Sequence, residues 1–306
     1  MATKEEIEHA YSPSRWSHRM GPDDVINAHI KSLTEGSKKA YEIDDREIGF
    51  SYGLTENEKL DIFGAKSLPG EAPILMYIHG GYWSALGREM SSYMAPVYCK
   101  SGTVVVSIGY DLAPQANIDT IVSQVKKATS FVLSMASRRG SSGVYLCGHS
   151  AGAHLAAMML LQDWSAECMI SPSLISGAIL VSGVFDLNPL IDTYIGEPLK
   201  LAKEDACRNS PILLIDDIVK YSRNRKFIVT YGDHDPPEFK RMSTEFNSEL
   251  VSKGINTSLI IVPDTDHFNV IENLQYEEYS LNKEILKLMN LNIGSLLDQM
   301  DSTSLS

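Results

Sequence analysis

Short apolar runs of strand length recur along this chain and restrict its fold more than any other feature. Seven of them occupy residues 59–65, 73–79, 103–109, 144–148, 176–182, 226–232 and 257–263, and residues 46–53 are a candidate edge strand. Continuous apolar runs of this length are typical of a parallel sheet that is covered on both faces. Helical patterns separate the runs, as in residues 118–135 and 238–253. The alternation predicts an α/β fold, with a mostly parallel sheet of about eight strands and helices on both faces.

Domain organisation follows from how regularly this alternation continues. No linker-like stretch interrupts it, so we expect a single domain over residues 1–306. Residues 186–220 are longer than most connections and contain helical fragments, which predicts an inserted lid or binding loop. Residues 271–289 are expected to form a terminal helix, and the tail of about 291–306 is expected to be flexible.

Charge and composition argue against several classes of protein. The net charge of −12 contrasts with the basic stripe that a nucleic-acid-binding surface needs. No apolar run approaches the ~20 residues of a membrane span. The start of the chain, MATKEEIEHAY, is acidic where a signal peptide is basic and then apolar, and no two of the four cysteines form a CxxC pair. We therefore expect a cytoplasmic protein without nucleic-acid or membrane partners.

A serine between two glycines marks the centre of the chain. Residues 144–155 read VYLCGHSAGAHL, so Ser150 directly follows a predicted strand and opens a predicted helix. This is the setting of a nucleophile elbow, where a sharp turn exposes the serine oxygen. Gly148 and Gly152 suit such a turn because the strand and the helix approach each other closely there. Ser150 is therefore the candidate nucleophile.

A nucleophilic serine needs a base and an acid that orients the base. Enzymes built on an elbow carry the acid and then the histidine after the serine. His267 follows the last predicted strand and is the favoured base, whereas His154 lies one helical turn after the serine and is favoured as a packed helix residue. Asp235 is the favoured acid because it lies farther past its strand than Asp233, which suits a turn.

The HGGYW sequence at residues 79–83 also follows a predicted strand. Adjacent glycines can present successive backbone N–H groups to an oxyanion, although a plain Gly-Gly turn is the alternative. The N–H of Ala151 would complete such an oxyanion hole.

Several motifs together give the chain a family resemblance. They are HGGYW (79–83), YDLAP (110–114), GHSAG (148–152), YSPSRW (11–16) and SGVFDL (182–187). With the Asp…His pair, they resemble the hormone-sensitive-lipase-like branch of the α/β hydrolases, and within it the kynurenine formamidase (arylformamidase) family. The resemblance covers residues 11–289. It implies the α/β-hydrolase fold, catalysis by Ser150, Asp235 and His267, and oxyanion donors at the amides of Gly81 and Tyr82.

The resemblance also implies a reaction, the hydrolysis of N-formyl-L-kynurenine to L-kynurenine and formate in tryptophan catabolism. Serine acyl transfer needs neither a metal nor an organic cofactor, so the expected partner is a small-molecule substrate, and a homodimer is left open. Trp83 and Phe185 are candidates for an aromatic wall of the substrate pocket, with core packing as the alternative. The alternative functions are a general carboxylesterase of the same fold and a ligand-binding protein on a hydrolase scaffold. The complete triad argues against a binding protein.

Overall fold

The computed structural model describes residues 3–291 and contains one twisted sheet. Its strands are β1 (Arg46–Ser51), β2 (Lys59–Phe63), β3 (Ile74–Ile78), β4 (Val104–Ile108), β5 (Val144–His149), β6 (Ile175–Val181), β7 (Lys226–Gly232) and β8 (Asn256–Val262). They lie in the order β1-β2-β4-β3-β5-β6-β7-β8. The strands β4, β3, β5, β6, β7 and β8 are neighbours in parallel pairs, while β2 is antiparallel to both β1 and β4. The predicted eight-stranded, mostly parallel sheet is confirmed, with β1 at its edge.

Helices cover both faces of the sheet, also as predicted. They are α1 (Lys4–Ala10), α2 (Pro22–Ala40), α3 (Ala95–Lys100), α4 (Ile118–Arg139), α5 (Ala151–Met159), α6 (Trp164–Cys168), α7 (Lys203–Arg208), α8 (Ile215–Ser222), α9 (Pro237–Ser252), α10 (Asn269–Glu272) and α11 (Ser280–Leu288). Alternate side chains of β3 enter two different core layers. Met76 packs in the layer that contains α4, α5 and α9, while Leu75 packs in the layer that contains α2, α3 and α11.

The longest helix shows why the sequence forms these elements. Asn117 caps α4 by accepting a hydrogen bond from the backbone N–H of Thr120 at 2.9 Å. Ile121, Val125 and other apolar residues at helical spacing are fully buried against the sheet. The helix ends at Gly140, whose φ of 72° is a left-handed conformation that glycine adopts without strain.

The predicted helix over residues 271–289 is wrong, because the structure breaks it into two. α10 ends at Glu272, a 3₁₀ turn follows over Asn273–Gln275, and α11 begins only at Ser280. The buried side-chain amide of Asn282 donates to the backbone carbonyls of Leu274 and Tyr276. These carbonyls therefore have partners outside a helical ladder, which stabilises the break.

The segment 186–220 leaves the sheet after β6. It contains α7, two 3₁₀ turns and the start of α8, and its residues Leu187, Leu190 and Leu199 are buried in the main core. None of the helices within residues 3–291 is long and apolar enough to cross a membrane. Of the predicted tail, all but Leu291 lies outside the described residues.

Candidate active site

Ser150 lies at a sharp turn between β5 and α5. Its φ of 56° and ψ of −118° are unfavourable for a residue with a side chain, so the surrounding structure must hold it there. One restraint is visible in the backbone, since the N–H of Ser150 donates to the carbonyl of Val181 at 2.8 Å. The turn leaves the Ser150 side chain on the wall of a cavity at the carboxyl edge of the sheet.

The two glycines of the GHSAG motif are required by close backbone approach. A Cβ atom at Gly152 would lie 2.0 Å from the carbonyl oxygen of Ile78 on the neighbouring strand. A Cβ atom at Gly148 would lie 2.2 Å from the carbonyl oxygen of Gly152. Both distances are far inside van der Waals contact, so no other residue fits without moving the strand or the helix.

Asp235 and His267 form a buried pair next to this turn. The Nδ1 atom of His267 lies 2.7 Å from Oδ1 of Asp235. The second oxygen, Oδ2, accepts hydrogen bonds from the Ser182 hydroxyl at 2.6 Å and from the backbone N–H of Gly232 at 3.0 Å. A carboxylate held in this way favours the His267 tautomer with its proton on Nδ1, which is the orientation that a general base at Nε2 requires.

The cavity brings the candidate nucleophile and base together. It has a volume of about 590 Å³, and both Ser150 and His267 line it. Residues 12–30, which we call the N-terminal segment, contribute much of the remaining wall, and Tyr194 and Ile195 of the segment 186–220 add to it. Within residues 3–291 the Ser150 hydroxyl has no hydrogen-bond partner, which suits a group that must react with a bound molecule.

The loop after β3 lies beside the serine in an unusual conformation. Gly81, Tyr82 and Trp83 have successive φ values of 98°, 48° and 58°. In the part of the chain that the structure describes, the backbone N–H groups of Gly81 and Tyr82 donate to no protein acceptor, and neither does that of Ala151. Unpaired N–H groups at a helix start and in a left-handed loop are typical of anion-binding sites, so these three amides remain the candidate oxyanion donors.

His79 holds the start of this loop in place. Its ring stacks on that of Tyr110 with the centroids 4.2 Å apart, and its Nδ1 lies 2.8 Å from the carbonyl oxygen of Gly80. Burial lowers the pKa of His79 to about 4, against a weaker raising effect of the Gly80 hydrogen bond. The imidazole is therefore neutral at pH 7, and as a donor at Nδ1 it fixes the backbone just before the candidate oxyanion amides.

A second neutral histidine fixes the candidate base. The Nε2 atom of His149 lies 2.8 Å from the carbonyl oxygen of His267. Burial, followed by the neighbouring His267 and His29, lowers the pKa of His149 well below its usual range. Neutral His149 thus donates from Nε2 and holds the main chain of His267 beside the serine turn.

The alternative residues of the sequence analysis take other positions. Asp233 is partly exposed and accepts the backbone N–H of Thr265 at 3.1 Å, which is a turn-forming contact. Asp233, His234 and Asp264 have possible metal-ligand atoms within 4.8 Å of one another, and His234 and Asp264 are exposed. They form this group outside the cavity wall that contains Ser150.

Comparison with known proteins agrees with this geometry. The BD-FAE family model matches residues 60–250. The chain is 44% identical to a kynurenine formamidase of Salmo salar and 43% identical to one of Danio rerio, over 94% of this chain and 96% and 97% of those proteins. The chain belongs to the kynurenine formamidase family. It is therefore a hydrolase, and the predicted resemblance is confirmed.

The fold of this family member is also similar to that of solved structures. A putative thioesterase from Silicibacter superposes with a TM-score of 0.72 and 25% identity, over 90% of this chain and 97% of that one. An esterase of Pyrobaculum calidifontis superposes with a TM-score of 0.67 and 19% identity, over 90% and 95% of the two chains. The predicted α/β-hydrolase fold is confirmed.

The aromatic wall expected of this formamidase-family pocket is not made of Trp83 and Phe185. The indole N–H of Trp83 donates to Nδ1 of His154 at 3.2 Å, and His154 Nε2 lies 2.7 Å from the Asn209 carbonyl oxygen. Phe185 stacks on Phe246 with the ring centroids 4.1 Å apart. Both candidate residues are fully buried in the core and line no part of the cavity. The helix residue His154 is packed, as expected.

The N-terminal segment is anchored to the loop that carries His267. The Arg19 guanidinium binds Asp266 through Nε at 2.8 Å and Nη2 at 3.0 Å, and the Ser17 hydroxyl donates to Asp266 at 2.5 Å. Glu272 lies 3.4 Å from Arg19 and 2.8 Å from Nδ1 of His29. Burial would raise the pKa of Asp266, but the hydrogen bonds from Arg19 and Ser17 hold it well below its usual range.

Sequence reasoning missed two kinds of residue in this family member. Ser182, which donates to Asp235, carries a readable signal, because it is a polar residue directly after β6 and next to the end of β7. Arg19 and its partner Asp266 carry no such signal. They are 247 positions apart, and nothing in local sequence pairs them.

Proposed function

We propose that this chain hydrolyses N-formyl-L-kynurenine to L-kynurenine and formate, with Ser150 as nucleophile, His267 as general base and acid, and Asp235 as its orienting carboxylate. The observation that carries the proposal is the relationship, at 44% identity over nearly the whole chain, to proteins named kynurenine formamidase. The shared cavity of Ser150 and His267 supports it, since acyl transfer needs these groups at one reacting carbon.

The first half of the reaction forms a formyl-enzyme. His267 takes the proton of Ser150 through Nε2 as the serine oxygen attacks the formyl carbon. Negative charge then develops on the formyl oxygen, and the N–H groups of Gly81, Tyr82 and Ala151 stabilise it. Each such donor is worth roughly 3–4 kcal/mol at the transition state. Their lack of other acceptors within residues 3–291 keeps them available.

The second half clears the serine. The C–N bond breaks, and His267 gives its proton to the departing arylamine nitrogen of kynurenine. A water molecule then enters, gives a proton to His267 and attacks the formyl carbon, after which formate leaves and the Ser150 proton returns. Asp235 stabilises the imidazolium in both halves, and the two donors to its other oxygen keep the carboxylate in position.

The test compares two substrates with one purified chain. We expect kcat/KM for N-formyl-L-kynurenine to exceed that for p-nitrophenyl acetate, and Ser150→Ala to abolish both activities. Hydrolysis of the ester alone would keep the serine mechanism and make the chain a general carboxylesterase. The esterases among its structural relatives make this the second candidate.

The reaction also needs a compartment, and we propose the cytosol. The four cysteines are all free thiols, which is the state that a reducing compartment maintains. Fractionation of cells that express the native full-length chain, followed by the formamidase assay on each fraction, tests this location.

A further inference from the structure

Two charges of opposite sign stand out on the wall of the catalytic cavity. Of the described residues that line it, Arg15 and Asp23 alone are an arginine, lysine, aspartate or glutamate, and both belong to the N-terminal segment. Neither side chain forms an ion pair or a hydrogen bond with another residue in the range 3–291. Both are exposed. Their charges are therefore available to a molecule that enters the cavity.

The two residues are held in place relative to the candidate base. Arg15 and Asp23 flank Arg19, which binds Asp266 through two nitrogen atoms. Asp266 directly precedes His267 in the chain. Asp23 also lies in the first turn of α2, where the helix dipole favours a negatively charged side chain. The cation and the anion are thus presented from a segment that is fixed to the catalytic loop.

The proposed substrate carries the complementary pair of charges. N-formyl-L-kynurenine has a free α-carboxylate and a free α-ammonium group on the side chain ortho to its formamide. We propose that Arg15 binds this carboxylate and Asp23 binds this ammonium group, so that the N-terminal segment selects aryl formamides that bear a free amino-acid group. The inference rests on the proposed formamidase function and adds the subsite that recognises the substrate's far end.

The apolar part of the same wall suits the rest of such a substrate. Ile26, Ile30, Leu86 and Phe268 line the cavity. An aromatic ring can pack among these side chains while the charged end extends toward Arg15 and Asp23. Because the two charged side chains are exposed to solvent, each contact is expected to change binding by roughly tenfold, which corresponds to the lower end of the range for hydrogen bonds to charged groups.

The experiment compares N-formyl-L-kynurenine with 2-formamidoacetophenone, which keeps the aryl formamide and the ketone but lacks the amino-acid group. In Arg15→Gln and in Asp23→Asn we expect KM for N-formyl-L-kynurenine to rise roughly tenfold with kcat nearly unchanged, since the lost contact exists equally in ground and transition states. For 2-formamidoacetophenone, kcat/KM should fall by no more than about twofold, because no charge is there to be lost.

Matched controls separate recognition from general charge effects. Asp24→Asn removes the neighbouring carboxylate from the same helix turn, and Arg138→Gln removes an exposed arginine at the end of α4. Neither residue lines the cavity, and both variants should retain the native KM for either formamide. Far-UV circular dichroism of all four variants checks that the fold is intact.

A third substrate assigns the two charges individually. In the α-carboxamide of N-formyl-L-kynurenine a neutral amide replaces the carboxylate. The native chain should therefore bind this compound roughly tenfold more weakly than N-formyl-L-kynurenine, and Arg15→Gln should weaken its binding no further. Equal losses for all substrates, or no loss in either variant, would overturn the subsite. Failure of the native chain to hydrolyse either formamide would instead refute the proposed function, and the subsite with it.

Discussion

The carboxyl edge of the sheet and the N-terminal segment both contribute to the wall of one cavity, but they are held in place by different means. At the sheet edge, Ser150, Asp235 and His267 each lie within a few residues of the end of a strand, so the backbone of the fold sets their positions. The N-terminal segment precedes β1, so no strand end sets its position. Polar contacts such as Arg19 with Asp266 attach it to residues more than two hundred positions away.

This difference separates two requirements of an enzyme. Acyl transfer needs fixed donors and a fixed nucleophile, which a strained turn between a strand and a helix provides. Choice among formamides needs a wall that can differ between relatives without disturbing that turn. Changes at the sheet edge should therefore lower kcat, whereas changes in the N-terminal segment should act on KM or on local stability.

The largest expected effect is that of Ser150→Ala. Loss of the nucleophile should lower kcat by several orders of magnitude, on the order of 10⁶, because the triad acts as a unit. The variant should unfold at the same urea concentration as the native chain, since alanine fits the same turn. Activity within tenfold of the native rate would show that the sheet edge does not hold the reacting group.

Asp235→Asn should rank next, with kcat lower by about 10⁴, since an amide no longer favours the His267 tautomer with its proton on Nδ1. Asp233→Asn is the matched control two positions earlier. Its carboxylate accepts a backbone N–H in a turn, and we expect less than a tenfold change. The reverse ranking, measured as kcat on N-formyl-L-kynurenine, would show that the buried pair with His267 is not the functional one.

The sheet edge was also the part that the sequence predicted well. All eight strands lie within two residues of the predicted limits, because continuous apolar runs bounded by glycine and polar residues carry a strong local signal. The elbow serine and the two loops that follow β7 and β8 could be placed for the same reason, since loops after parallel strands meet at one edge. Ser182 could have been found by the same rule.

The remaining features depend on contacts that no local pattern encodes. Trp83 and Phe185 were candidates for the pocket wall, with core packing as the alternative, and they lie in the core. In the sequence, aromatic residues near a motif look the same whether they face a cavity or a helix. The role of the N-terminal segment rests on the pairing of Arg19 with Asp266, which the fold alone brings together. The break between α10 and α11 is stabilised by a buried asparagine, Asn282, which local sequence does not mark.

Arg19→Gln tests the attachment of the N-terminal segment. The substitution leaves the buried carboxylates of Asp266 and Glu272 without their cation, which should lower the free energy of opening this segment by about 3 kcal/mol. Hydrogen exchange of the amides of α2 measures that free energy, and Arg19→Lys should recover part of it. Arg138→Gln is the control. Unchanged exchange in Arg19→Gln would mean that apolar packing alone holds the segment.

The smallest expected effect is a loss of stability at acidic pH, and it differs between His154 near the sheet edge and Asp266, which binds the N-terminal segment. Burial, partly opposed by the hydrogen bond with Asn209, lowers the pKa of His154 from its usual 6.5 to about 4. The unfolded chain therefore binds a proton at pH 5 that the folded chain does not, so this histidine's contribution to stability is present above pH 6.5 and falls as the pH drops toward 4. The loss between pH 7 and pH 5 is about 2 kcal/mol. At Asp266 the pKa lies below its usual value, so its contribution persists down to pH 4.

Urea unfolding at pH 7 and pH 5 measures this contrast. His154→Gln removes the titrating ring while its amide can still pair with Trp83 and with the Asn209 carbonyl, so the variant's stability should depend less on pH by about 2 kcal/mol. His9→Gln, at an exposed histidine of α1, should leave the pH dependence as it is. The free energy of opening α2, obtained from hydrogen exchange after correction for the intrinsic pH dependence of amide exchange, should change little over the same range. The reason is that the Arg19–Asp266 pair stays charged. Equal pH dependence in the native chain and in His154→Gln would contradict this prediction. It would show that the pKa of His154 in the folded chain is not lowered by burial, so that this histidine can be protonated in the fold at pH 5.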